Sequence, residues 1–127
     1  VFAATLFGFL VVENTARAGP AEDLAAAHEA YALGNFAAAA QKFQKAADQG
    51  NVTAQDSLGV MYANGEGISR DYLQAYMWFQ IALSNVAPED VHWRSRLARF
   101  MSQAAAHLTP AQVLEAERRA NAWTSPR

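Results

Sequence analysis

Ala54, Leu58, Met61 and Tyr62 recur three and four residues apart on one side of a helix, and Gly59 beside them lets a neighbouring helix come close. This spacing predicts a packed helix. Asn64-Gly65-Glu66-Gly67 then supplies two glycines where the backbone can take positive φ, and Ser69 or Asp71 follows as an N-cap for the next helix. Residues 72–83 are apolar on nearly every side, as expected of an element sandwiched between other helices. After a break at Pro88, Val91, Leu97, Met101, Ala104 and Leu108 recur at helical intervals and predict one long helix. Thr109-Pro110-Ala111-Gln112 combines an N-cap, proline at the first helical position and a reciprocal glutamine. Val113, Ala116, Ala120 and Trp123 give that last helix its inner stripe, and Ser125-Pro126 ends it.

The chain also repeats. Phe36, Ala39, Phe43 and Ala46 align with Tyr72, Ala75, Phe79 and Ala82 at an offset of 36 residues. Upstream, Ala27, Tyr31 and Gly34 align with Leu58, Tyr62 and Gly65 at an offset of 31, and the longer turn at residues 64–69 absorbs the difference. Each unit is a helix pair. A lone helical hairpin cannot bury its apolar face, whereas stacked hairpins bury one another's, so the periodicity implies an all-α solenoid. Composition agrees: alanine dominates while Val, Ile and Thr are sparse, which favours helix over sheet. The 127 residues, 52% of them apolar, suffice for one compact domain.

Ala54, Leu58-Gly59, Tyr62, Gly65-x-Gly67, Asp71-Tyr72, Ala75, Trp78 and Ala82 together resemble the Sel1-like repeat along its whole length. A more tetratricopeptide-like unit at about residues 22–50 lacks the double-glycine turn, and the LTPxQ segment at 108–112 resembles the closing helix behind such repeats. The resemblance implies a right-handed α-α superhelix of antiparallel pairs over residues 21–127, with repeat 1 at about 22–50, repeat 2 at about 54–85 and a capping pair at about 89–123. It further implies that the first helix of each pair lines a concave surface. Thr53, Asp56, Val60 and Asn64, with Glu22, Ala25 and Glu29 as counterparts in the first unit, would then face a protein or peptide partner. Two units make a short groove, which self-association or docking onto a larger envelope protein would extend.

Charge and reactive side chains narrow the function. A formal charge of -2 offers no basic excess for a phosphate backbone, so nucleic acid is a poor partner. There is no cysteine, hence no disulfide, thiol nucleophile or thiolate metal site. His28, His92 and His107 occur singly without metal-ligand spacing and read as partly solvated surface imidazoles. Glu66 and Asp71 lie in a glycine turn and at a helix start, where acidic residues serve structure, and no serine sits in a nucleophile elbow. Gly65-Glu66-Gly67 lacks the further glycine, strand and lysine of a phosphate loop. No catalytic residue, metal or cofactor is therefore expected. His92, Arg96, Arg99 and Gln103 share one side of the long helix, a basic stripe that suits either an acidic partner or plain solvation.

Residues 1–12 are apolar or small throughout and are followed by Ala16-Arg17-Ala18 before Gly19, resembling a secretory signal. Such a run falls short of the ~20 residues needed to cross a bilayer as a helix. Residues 1–18 are thus expected to be a signal peptide or a truncated membrane anchor, and the protein periplasmic or secreted, or else membrane-tethered through residues 1–12. The expected role is an exported, non-catalytic interaction module. An envelope enzyme acting on wall fragments or β-lactams is the alternative suggested by cysteine-rich Sel1-like proteins, and the missing cysteines count against it. A tethered accessory subunit is the third reading.

Overall fold

The computed structural model describes residues 19–123; the leader, the tether and the Ser125-Pro126 stop lie outside them. Six helices follow in order, α1 (Pro20–Ala32), α2 (Phe36–Asp48), α3 (Val52–Asn64), α4 (Tyr72–Asn85), α5 (Val91–Ala105) and α6 (Pro110–Ala122). No strand occurs among the described residues. The all-α expectation therefore holds.

Local chemistry sets the helix starts. Asn35, Asn51, Asp71, Asp90 and Thr109 each accept a hydrogen bond from a backbone N–H in the first turn that follows. Each such cap satisfies a donor that the helix itself cannot, and contributes about 1 kcal/mol. Of the two candidates before α4, Asp71 makes the cap. Before α6, Thr109 and Gln112 form the reciprocal box, with Gln112 Oε1 accepting from the Thr109 N–H at 2.9 Å. The long helix stops at Ala105, short of Leu108, because the chain must leave helical geometry to place Thr109 as the next cap.

Helices α1 to α5 each pack on the next along the chain, whereas α6 packs on α4 and not on α5. Helix α4 is accordingly the centre, burying Ala75, Tyr76, Trp78, Phe79, Ile81 and Ala82. Full burial of a side chain the size of Phe43 or Phe79 stabilises by roughly 1.5–3 kcal/mol. Four aligned pairs of the two units match in burial, since Ala39 and Ala75, Phe43 and Phe79, Ala46 and Ala82, and Ala27 and Leu58 are all buried, while Tyr31 and Phe36 are exposed where Tyr62 and Tyr72 are half-buried. Trp123 meets Trp78 edge to face at 6.2 Å, so the end of α6 closes over the first pairs' core.

Two glycines fix how the pairs seat. A Cβ on Gly59 would lie 2.6 Å from the Phe79 ring, so α4 reaches α3 only because that position is bare. Gly67 has φ +70° and lies against the Phe36 carbonyl and Ala37 nitrogen, which docks the turn after α3 onto the start of α2.

No helix among the described residues is long and apolar enough to cross a membrane.

Candidate functional site

Helices α1, α3 and α5 supply most of the lining of two adjoining clefts. The first has a volume of about 190 Å³. Its floor is Phe43, Met61 and Asp56, all at least 95% buried, and its rim carries His28, Tyr31, Ser57, Val60 and Arg96. The second, of about 290 Å³, is lined by Val60, Asn64, Tyr72, Phe100, Gln103 and His107 among others. Val60 borders both, so the two clefts lie side by side along this face.

Asp56 is the least expected member. It is only 4% exposed, and its Oδ2 accepts two hydrogen bonds from Arg96, from Nε at 3.2 Å and from Nη2 at 2.9 Å. Its Oδ1, equally buried, accepts none from the protein. Burial pushes the Asp56 carboxyl above its ordinary range, and the hydrogen bonds and charge of Arg96 offset this only in part. The arginine stays half in water, with its guanidinium 4.6 Å from the Phe100 ring centre.

The rim is tied together by hydrogen bonds across the pairs. Tyr31 donates its hydroxyl proton to Glu66 Oε2 at 2.7 Å, and Asn64 donates from Nδ2 to Glu66 Oε1 at 2.9 Å. The end of α1 is thereby latched to the turn after α3. The hydrogen bond to Glu66 raises the Tyr31 phenol above its ordinary value, with burial and the glutamate's charge adding to it. In the second cleft the His107 ring stacks on Tyr72, centroids 4.0 Å apart and planes 6° from parallel.

Of the residues the sequence nominated, Asp56, Val60, Asn64 and Arg96 come together along this groove. Glu22, Glu29, Thr53 and Arg99 line neither cleft. Glu22 instead accepts a hydrogen bond from the Gly19 N–H at 3.0 Å, serving the start of α1. Glu29 is exposed, Thr53 is half-buried, and the exposed Arg99 places its guanidinium 5.6 Å from Phe100. Asp56 is not an outward, solvated position but a buried one, because α5 brings Arg96 over it. The basic stripe on α5 is correspondingly less free, since Arg96 is engaged within the fold. Sequence reasoning did not nominate His28, Tyr31, Ser57, Phe100 or His107 as groove residues. The 4-3-4 spacing of Arg96, Phe100, Gln103 and His107, running along α5 and into the turn after it, is the signal that could have found Phe100 and His107.

Chemically, the groove combines an apolar floor, aromatic edges and one desolvated carboxylate. His28, Asp56 and Ser57 share the first cleft, yet no hydrogen bond joins any two of these side chains. Among the described residues, no three His, Asp or Glu side chains cluster as a metal site would require. Comparison with protein families, with characterised proteins and with solved structures finds no match for the chain.

Proposed function

We propose that this chain is a Sel1-like helical-repeat module, a short right-handed superhelix of antiparallel pairs, that holds a protein or peptide partner along the α1, α3 and α5 face. The observation that carries this reading is the placing of the two clefts side by side at Val60, in a row across α1, α3 and α5. The shared burial of four aligned pairs in the two units supports the repeat assignment. The role is to grip and not to convert: the acidic group in the groove is bound to Arg96, and no nucleophile and base are hydrogen-bonded there. The leader-like residues 1–18 support export to the periplasm or beyond.

A photo-crosslinking residue placed at Asn64, inside the groove, and separately at exposed Gln41 on α2, outside both clefts, tests this. With native-cell extract, a discrete adduct is expected from Asn64 and not from Gln41, and Gln103→Arg should abolish it. Equal adducts from both positions, or one indifferent to Gln103→Arg, would refute the groove as the partner site.

A further inference from the structure

Tyr72 and His107, stacked ring on ring, border the second cleft and also a third one of about 450 Å³. Arg70 enters the third from the turn before α4, and Arg119 enters it from α6. Both residues are exposed, and the Arg70 guanidinium lies 5.7 Å from the Tyr72 ring centre. Arg119 spends Nε on Glu115 at 2.8 Å, and neither of its terminal nitrogens forms a hydrogen bond among the described residues. Arg70 forms no ion pair among them. The Asp71 N–H donates to the Tyr62 carbonyl at 2.9 Å, which holds the end of the turn that carries Arg70. Cations held ready in this way lose less freedom when an anion binds.

Charge selects the ligand class. Arg118 and Arg119 share Glu115, and Asp71, which lines the third cleft beside Arg70, caps α4 with its Oδ1. Three arginines against these two carboxylates leave one positive charge, which matches a single carboxylate and falls short of a dianionic phosphate. Across the shared Tyr72 and His107, the second cleft offers Val60, Ala63 and Phe100 to an apolar side chain. Alternate side chains of an extended peptide lie on one face about 7 Å apart, a span suited to two clefts with a common wall.

We propose that Arg70 and Arg119 receive the carboxylate of an aspartate or glutamate side chain of the partner peptide, while an apolar side chain two residues away fills the second cleft. The assignment rests on the second cleft being part of the partner site, and it names the acidic and apolar pair that the partner must carry.

The test titrates isotopically labelled protein with short peptides, following backbone amides by NMR. The probe is Gly-Leu-Gly-Glu-Gly, acetylated and amidated so that the glutamate carries its one charge. Its controls replace glutamate by glutamine or leucine by alanine, and inorganic phosphate is a separate arm. The probe is expected to shift the amides of Asn64, His107 and Arg119. It should bind about fivefold more tightly than the glutamine peptide, the effect of two exposed ion pairs. It should likewise bind about fivefold more tightly than the alanine peptide, because an open cleft covers the leucine in part. The preference for glutamate should shrink in about 0.5 M salt and vanish in Arg70→Gln/Arg119→Gln, whose two substitutions lie at exposed positions. Equal affinity for the glutamate and glutamine peptides, or for the leucine and alanine peptides, would overturn the proposal. So would tighter binding of phosphate, shifts elsewhere or no shifts, or a preference that survives in the double variant. The two readings fail separately. A partner crosslinked at Asn64 without any preference for glutamate removes only the acidic anchor, whereas that preference without a crosslinked partner keeps the peptide site and removes the partner reading.

Discussion

Arg96 on α5 spends two donors on one oxygen of Asp56, which lies forty residues earlier on α3. This pair bridges α3 and α5 at the floor of the first cleft, where the buried carboxylate depends on the arginine. Arg96→Leu is expected to destabilise the fold by about 3 kcal/mol, the low end for a broken buried pair because the arginine is itself half in water. Asp56→Leu/Arg96→Met should recover most of the loss, since no uncompensated charge remains. The cost of Arg96→Leu should also shrink at acid pH. Asp56 titrates above its ordinary 3.8 in the fold, so the folded chain holds a proton that the unfolded chain has already released. The group's contribution to stability is therefore greatest at low pH and declines as pH rises through the folded value, where the charge most needs Arg96. Urea titrations at neutral pH and near pH 4 check both statements.

Gly59 opposes two effects whose magnitudes can be compared. Alanine there gains up to about 1 kcal/mol of helix propensity, but its Cβ would press on the Phe79 ring, and overpacking of that kind costs about 1–3 kcal/mol. Gly59→Ala should thus be net destabilising despite the better helix former. Phe79→Leu in the Gly59→Ala background should cost less than in the natural protein, because the smaller side chain makes room. Phe79→Ala alone should cost about 3–5 kcal/mol. A denaturant-based double-mutant cycle measures the coupling.

Gly67 meets backbone and not a movable side chain. With φ at +70° and the Phe36 carbonyl in the path of any Cβ, Gly67→Ala combines a left-handed penalty of about 1–2 kcal/mol with displacement of the turn from α2. Gly34→Ala is the control, since Gly34 has φ +79° but nothing within 4 Å of its would-be Cβ. The melting temperature should fall distinctly further for Gly67→Ala than for Gly34→Ala.

Glu115 on α6 accepts from Arg118 at 2.7 and 2.8 Å and from Arg119 at 2.8 Å. The Arg118 hydrogen bonds foremost, then those of Arg119, lower its carboxyl from 4.5 to about 2. A depressed carboxylate adds stability above its unfolded value and loses it as pH falls through the folded one. Glu115→Gln should therefore lower the melting temperature slightly at pH 7, with the difference fading from pH 4.5 down to about 2 and shrinking in high salt. A pH-independent difference in thermal melts would show that the pairing is not its cause.

What the sequence disclosed and what it hid divide along the range of the interactions. The Asp71 and Thr109 caps and the turn at Gly65 and Gly67 depend on neighbours within a few residues, and all were readable. The central place of α4 was readable too, because an all-round apolar helix has no face to offer water. Asp56 was not, since a carboxylate on a helix reads as outward until a partner forty residues away accounts for its burial. Gln55 is the same case: it is fully buried, donating to the Ala47 carbonyl at 3.1 Å and accepting from Asn85 at 3.4 Å. The groove was legible in its α3 side, through Val60 and Asn64. Its α1 wall at His28 and Tyr31 follows from how the pairs lean on one another, which no local spacing encodes.

Hydrogen exchange of the protein alone and bound to its crosslinked partner tests most directly whether the α1, α3 and α5 face is where a partner sits. Slowed exchange is predicted across residues 53–64 and 96–107, with residues 36–48 of α2 unchanged. Slowing confined to α2, or no change in α3 and α5 on binding, would contradict it.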